Sequence, residues 1–558
     1  MRRALVLLTG LGLLVAAPAA ADVRLDEFSV TPADTAAGSH PDVTVVQKMS
    51  YSTRQDDVRN SFVRLAPGLL GNPQNADFCG PAQFAGDDCP AGSQVGTVSA
   101  RVSVLLIPPI PDQGLDAPGS VYNLPPEGDE PARLGLVLRP LTAPLLGEKV
   151  FLESPVVLRN GPGGMGLEST FANQPRTSGP FDVQIRQVTL NFSGQGSKGP
   201  FMRLPTACAP ALSIGRASSY DSAAVSQRTS SFTPTACSAL EFDPSASGFV
   251  GAPGMTRRGD SPPFSTTLHF DPEDAALKRA EVTIPQFMEP NLAAIGNACG
   301  RAQAAAGTCP PSSRVGTATI DSPLQARPVR GPTYIALNSA SPIPGLILML
   351  PPPVGLRLDA NVTIDAAGVH NVFPSNPDLP VRSFRLDFNS GPGAPLKLGR
   401  DLCDPRTDTT IHVDLLAHSG KRKRFSTQLA TPGCDPVATA SVRRRGRRAK
   451  LVARVTAARQ GPSITRAALT LPKGLRRGRP APRVYVGRQR MSPIVQRRSL
   501  ALPFPGAGVR GAVVVWRGLR AARGLRRTVT VPIRVTDARD RTTELRPQAR
   551  VRGKRPRR

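Results

Sequence analysis

Three observations predict an all-β protein of tandem, disulfide-stapled, Ig-like β-sandwich units, duplicated and followed by a basic C-terminal β-sandwich. Pro and Gly supply 59 and 51 of 558 residues, short alternating apolar runs recur at regular spacing, and eight cysteines fall into two matching sets. Chain breakers at this density interrupt long helices and suit short strands joined by tight turns. Hydrophobic residues at 40% and charged residues at 20% provide material for packed cores, which excludes wholesale disorder. The length calls for several domains.

Met1-Arg2-Arg3, the apolar stretch Ala4 to Ala17 and the small residues Ala19-Ala20-Ala21 read as an export signal over 1–21, cleaved near Ala21. Gly10, Gly12 and Pro18 make this run a poor membrane span, and no later segment is long and apolar enough to cross a bilayer. The expected location is secreted or extracellular, associated with the cell envelope. Arg2-Arg3 alone does not select an export route.

Eight cysteines in an exported chain, without the CxxC pairs of zinc sites, favour disulfides. Eight cysteines allow 105 pairings. The sets Cys79, Cys89, Cys208, Cys237 and Cys299, Cys309, Cys403, Cys434 make nearest-neighbour bridges the economical solution.

From Cys79 to Thr97 against Cys299 to Thr317, 11 of 19 ungapped positions are identical, which marks an internal duplication. The expected units are 22–115 and 116–245 in the first repeat, 246–325 and 326–440 in the second, a basic sandwich over 441–545 and a disordered basic tail over 546–558. Strand signals lie at Val43 to Val46, Val98 to Leu105, Leu134 to Leu138, Val188 to Phe192, Thr333 to Leu337, Phe384 to Phe388 and Ile411 to Leu415. In Phe384-Arg385-Leu386-Asp387-Phe388 the period of two turns Phe384, Leu386 and Phe388 inward and Arg385 and Asp387 to water. Strands run into proline turns at Val63 to Gly68, Val282 to Pro285 and Leu469 to Gly474. A turn or two of helix is expected over Pro272 to Ala280, with Asp271 as its cap.

The strand ending in Pro-x-Gly, the Cys-x-x-Ala-Gln, Cys-Pro and Ser-x-Val-Gly-Thr block, and Val121-Tyr122-Asn123-Leu124 with Glu130-Pro131-Ala132-Arg133 resemble large secreted repeat proteins of high-GC actinobacteria. The resemblance covers roughly residues 43 to 440 and implies an extracellular, cysteine-stapled β architecture. That family has no established activity, so no catalytic or binding residue carries over. The second repeat departs from the pattern at Tyr334 to Pro342, where the acidic turn of Glu127, Asp129 and Glu130 has no counterpart.

Charge is segregated. Of a net +29, residues 441–558 carry 34 Lys or Arg against only Asp537, Asp540 and Glu544, whereas the preceding 440 residues hold 36 basic and 38 acidic side chains. A field of one sign repels itself and calls for an anionic partner. Arg holds phosphate or carboxylate bidentately, so the expected partners are anionic envelope polymers or lipid head groups. The candidate anion-binding residues are Arg443, Arg444, Arg445, Arg447 and Arg448, then Arg476, Arg477 and Arg479, placed in loops flanking strands. The competing reading is a solvated, solubilising face. Sequence-specific nucleic-acid recognition is disfavoured, because Tyr485, Phe504 and Trp516 form no stacking motif and Trp516 belongs in the module's core.

No catalytic, cofactor or metal residue is assigned. Gly194 to Gly199 matches GxGxxG, but Pro200 and Pro205 exclude the helix a pyrophosphate needs, so it reads as a turn. The five histidines include no HExxH, and no GxSxG elbow is present. Asp87-Asp88, Glu127 to Glu130 and Asp271 to Asp274 are read as hydrated turns rather than calcium sites. The leading expectation is a secreted, non-enzymatic cell-surface or matrix protein attached through its Arg-rich module. The alternatives are a secreted hydrolase of polysaccharide or peptide with a site between repeats, and a structural coat component.

Overall fold

The computed structural model describes residues 23–52, 56–104, 113–140, 149–161, 163–178, 181–222, 224–337, 343–404, 406–458, 461–504, 506 and 508–553. The export signal expected over 1–21 and the last five residues of the basic tail lie outside these. Among the described residues no helix is long and apolar enough to cross a membrane.

The first repeat consists of β1 (Val23–Pro32), β2 (Val43–Tyr51), β3 (Val58–Arg64), β4 (Gln94–Val104), β5 (Gln113–Leu124), β6 (Ala132–Leu138), β7 (Val150–Gly161), β8 (Gly164–Phe171), β9 (Phe181–Phe192), β10 (Ala211–Ser219) and β11 (Val225–Phe232). They pair in the order β1-β2-β9-β4-β5-β6-β7-β8-β3-β10-β11. The sheet curls until its edges meet: the backbone N–H groups of Leu25 and Val30 on β1 donate to Ser226 Oγ and Ser230 Oγ on β11, at 2.9 and 3.0 Å. Val23, Leu25, Val43, Val45, Val98, Leu136 and Phe192 share one apolar interior.

The second repeat has β12 (Ser245–Val250), β13 (Phe264–His269), β14 (Leu277–Ile284), β15 (Arg314–Asp321), β16 (Val329–Ala336), β17 (Gly345–Met349), β18 (Arg357–Asp365), β19 (Gly368–Phe373), β20 (Ser383–Phe388), β21 (Thr410–Ala417) and β22 (Arg422–Gln428). Their order is β12-β13-β20-β15-β16-β17-β18-β19-β14-β21-β22, the first repeat's order strand for strand. Its edges meet where Val250 N–H donates to Ala430 O at 2.9 Å and Thr427 Oγ1 donates to Ala246 O at 3.3 Å.

Each repeat is therefore one curled sheet rather than two small units. The boundary expected at 115/116 falls inside β5, and the one at 325/326 separates β15 from β16, which pair with each other. Long-range pairing overrides the local impression of a break: β2 bonds to β9 across most of the repeat. The seven strand signals fall on strands as far as they are described, except that β16 ends at Ala336, one residue short of Leu337. In β20, Leu386 and Phe388 are buried while Arg385 is exposed. The helix expected over Pro272 to Ala280 is absent: residues 271–274 form a turn, with Glu273 N–H donating to Asp271 Oδ1 at 3.0 Å, and β14 begins at Leu277.

The four disulfides are Cys79–Cys89, Cys208–Cys237, Cys299–Cys309 and Cys403–Cys434. The first of each pair encloses a short helix, Pro81–Ala85 or Arg301–Ala306, entered from Gly80 or Gly300. The second ties the base of the last hairpin, β10–β11 or β21–β22, which forms one side of the seam where the sheet edges meet.

The repeats are joined by a polar clamp beside an apolar contact. Buried Asp378 accepts hydrogen bonds from Thr206 N–H and Oγ1, both at 2.8 Å. Arg203 donates to the carbonyls of Pro272 and Asp274, and burial pushes its guanidinium pKa down. Met165 and Leu158 of the first repeat pack into the second repeat's core.

The C-terminal module is a two-sheet sandwich. Its strands are β23 (Val437–Arg445), β24 (Arg448–Thr456), β25 (Ile464–Thr470), β26 (Leu475–Arg476), β27 (Arg483–Val486), β28 (Gln489–Met491), β29 (Ile494–Val495), β30 (Ser499–Pro503), β31 (Gly511–Ala521), β32 (Thr528–Thr530), β33 (Ile533–Asp537), β34 (Thr542–Leu545) and β35 (Gln548–Gly553). One sheet runs β28-β27-β31-β24-β23-β35-β32, with β26 beside β31; the other runs β29-β30-β25-β33-β34. The module begins at Val437 rather than 441. The tail expected to be disordered from 546 instead supplies β35, parallel to β23, where Ala549 is fully buried and Val551 packs half-buried against the core.

Candidate anion-binding surface

Along β23 and β24, apolar and polar residues alternate with the pleat. Val442, Leu451, Ala453 and Val455 are buried, while Arg443, Arg445, Arg448 and Arg454 are exposed on the other face. The chain reverses at Gly446-Arg447, where Gly446 takes φ +58°. A two-residue hairpin of this hand needs positive φ, which Gly adopts without strain.

Register then brings together arginines far apart in the chain. Arg445 stands opposite Arg448, Arg448 opposite Arg520 on β31, and Arg520 opposite Arg476 on β26. Strands lie about 4.8 Å apart, so this row of four guanidinium stems crosses roughly 14 Å of sheet. Two residues along, Arg552 on β35 faces Arg443, which faces Lys450. Arg454, Arg483, Arg490 and Arg550 extend the same face towards its margins. Like charges directly opposite one another repel, and among the described residues none of these cations has an ion-pair partner.

The module's three carboxylates are elsewhere. Glu544, on β34 of the other sheet, pairs with Arg546 at 3.0 Å and Arg534 at 3.4 Å; the Arg546 hydrogen bond, followed by that of Arg534, holds its carboxyl below the usual range. Asp537 Oδ1 accepts from the N–H groups of Arg539 and Arg541 across the β33–β34 turn, where Asp540 also sits. The outer face of the larger sheet thus carries cations and no carboxylate.

Of the expected residues, Arg443, Arg445, Arg448 and Arg476 lie in these rows, on strands rather than in loops. Arg447 occupies the hairpin turn. Arg444 falls on the opposite side of the pleat, half-buried, its Nε donating to Gly446 O at 2.8 Å. Arg477 and Arg479 are exposed in the segment after β26, outside the rows. Lys450, Arg454, Arg483, Arg490, Arg520, Arg550 and Arg552 were missed; the alternation Arg448-Ala449-Lys450-Leu451 and Arg550-Val551-Arg552 is the signal that points to three of them. Trp516 is fully buried in the sandwich core.

The acidic clusters of the repeats are engaged internally. Asp87 pairs with Arg139 and with Lys149, the Arg139 hydrogen bond chiefly holding its pKa down. Arg133 gathers Glu127, Glu130 and Glu153 at 2.6–2.8 Å. His370 lies between Asp365 at 2.9 Å and Glu281 at 3.1 Å; burial lowers its pKa, but the two carboxylates outweigh this and raise it. Gly194 to Gly199 forms a tight two-strand turn, Gln195–Gly196 against Gly199–Pro200. Among the described residues no group of three or more His, Cys, Asp or Glu side chains is placed to hold a metal ion.

No protein-family model matches the chain, and no curated protein matches it. Among solved structures, a putative membrane anchored protein from Corynebacterium diphtheriae is similar over 82% of this chain and 96% of its own, at 8% identity and a TM-score of 0.17. A biofilm associated protein B domain covers 55% of this chain and 84% of its own, at 7% identity and 0.17. The collagen adhesin of S. aureus covers 56% and 92%, at 7% identity and 0.16. Similarity at this level assigns neither family nor ligand, and the all-β, duplicated, disulfide-stapled architecture rests on the strand order itself.

Proposed function

We propose that this is an exported, non-enzymatic β-repeat protein of the cell surface or extracellular matrix, attached to an anionic envelope polymer through the outer face of the larger C-terminal sheet. The observation that carries the reading is the row Arg445, Arg448, Arg520, Arg476 with the second row Arg552, Arg443, Lys450 beside it, on a face without carboxylates. Such an array stabilises itself by taking up phosphate or carboxylate groups, each held by the planar guanidinium fork. Binding releases counterions and weakens with salt. The repeats, whose own charges are nearly balanced, serve as spacers.

The test is binding of the full chain to purified wall teichoic acid, with phosphatidylglycerol vesicles as a parallel arm, across a sodium chloride series. Log K should fall linearly with log salt. Replacing Arg445, Arg448 and Arg520 together with Gln should reduce the slope by about 2, at roughly 0.7 per lost contact on a flexible strand. Tighter binding to vesicles than to the polymer would move the partner to lipid head groups. Salt-independent retention, or an unchanged slope in the triple variant, would overturn the proposal.

A further inference from the structure

An eight-stranded barrel is just wide enough for side chains to fill, and larger closed sheets enclose a lumen unless something plugs it. Each repeat here curls eleven strands along its main path, the first with one further short strand, Thr177–Ser178, beside β9, and among the described residues no helix runs through either interior. A cavity of about 230 Å³ results, continuous from one repeat into the other. Its wall includes Leu158, Phe192 and Phe201 of the first repeat and Phe270, Leu324 and Phe388 of the second. Phe192 and Phe388 hold corresponding places, each opposite the first residue of the second strand of its repeat, Val43 or Phe264.

The wall is apolar where a folded core would be closed. Val282, Ile320, Val329 and Phe384 line the cavity yet are only partly buried. An apolar cavity of about 150 Å³ stays dry and takes up apolar molecules. This volume is spread along a lining that runs from Val45 and Leu190 in the first repeat to Leu350 and Leu358 in the second, which suits an extended chain better than a compact fused ring system. The charged side chains on the wall are Glu168, Asp271 and Asp274, and no Lys, Arg or His joins them. A carboxylate head would meet like charge, because Arg203 behind these acids is already engaged by the carbonyls of Pro272 and Asp274 and faced by Asp378, Glu273, Asp274 and Asp271, and the low-polarity wall makes this costly.

We propose that this shared lumen is a binding site for one unbranched alkyl or acyl chain with an uncharged head. The site is separate from the cationic face of the C-terminal module and does not depend on it.

The experiment uses the full, disulfide-intact protein with the 1-alkanols from hexanol to tetradecanol, read by native mass spectrometry and thermal melting. The expected result is saturable one-to-one binding whose affinity rises with chain length to a limit and then falls, with dodecanoate at least tenfold weaker than dodecanol. Thr266→Phe, which fills the lumen of the second repeat from β13, and Leu158→Trp, which narrows the junction, should each weaken dodecanol binding at least tenfold while far-UV circular dichroism stays unchanged. If one variant misfolds, the other and the head-group comparison still decide. Absence of saturable binding by every alkanol, binding that the folded variants leave intact, or dodecanoate bound as tightly as dodecanol would overturn the proposal.

Discussion

The repeats and the C-terminal module use arginine in opposite ways. In the repeats several strand arginines have a carboxylate close by: Arg422 and Arg424 converge on Asp414, Arg279 pairs with Glu281 at 2.6 Å, and Arg357 with Asp359 at 2.8 Å; others, such as Arg64 and Arg216, are engaged by carbonyl or amide oxygens. In the module, Arg448 stands between Arg445 and Arg520. Both are twisted sheets with apolar interiors, so the contrast lies in register and composition. One surface pairs much of its charge internally, and the other carries a row of cations without a carboxylate beside them.

The largest effect expected from this contrast is on the cystines, which only the repeats possess. Closing a loop of the length tied by Cys403–Cys434, with a sequence separation of 31, is worth about 3–4 kcal/mol in the loop-entropy model. Cys403→Ser with Cys434→Ser should therefore destabilise the second repeat by that amount. The C-terminal module should melt unchanged, as reported by fluorescence of Trp516, the single tryptophan of the chain. A shift in the Trp516 transition would show that the module draws its stability from the repeats.

Acid should separate the two regions next. Hydrogen bonds from Arg139, Arg279 and Arg422 hold Asp87, Glu281 and Asp414 below the ordinary carboxylate range. Their stabilisation is full above about pH 4 and is lost as pH falls through the depressed values. His370, raised by its carboxylate partners, contributes in the other direction: its share is full below about pH 6.5 and fades as pH climbs past its folded value. Calorimetry between pH 2 and 5 should show the repeats weakening, at roughly 0.2–1 kcal/mol for each pair. The larger sheet's outer face has no carboxylate to lose to acid, so the module's transition should move less.

The smallest effect is the most discriminating. Arg448→Glu places a carboxylate between Arg445 and Arg520 and should stabilise the module by about 0.5–1 kcal/mol, since opposite charges replace like ones across the ladder. The same change should weaken polyanion binding. Stability and binding moving together, measured by melting and by the salt series, would argue against a surface kept unpaired for a partner.

Much of this was legible along the chain. Alternation located the strand cores, as in β20, where Leu386 and Phe388 turn inward. The 11 identities between the two Cys-Gly blocks announced two copies, and the strand orders agree throughout. Short spacing identified the disulfide partners because a nearby cysteine meets its neighbour with little chain entropy to lose. The helices inside the first loops escaped notice: Pro81–Ala85 is five residues long, too short to show a period, although Gly80-Pro81 marks its start.

Sequence by itself determined which faces are apolar, where cystines close loops and that the excess of positive charge is confined to one module, since these follow from residue type and local spacing. Only the tertiary structure decided that each repeat is a single curled sheet, that two lumens join, and that Arg448, Arg520 and Arg476 share a row. The reason is that ladder pairing joins residues by register across tens of positions. A shift of one residue would turn every arginine of a strand to the other face, and nothing local to Arg448 specifies that Arg520 will stand beside it.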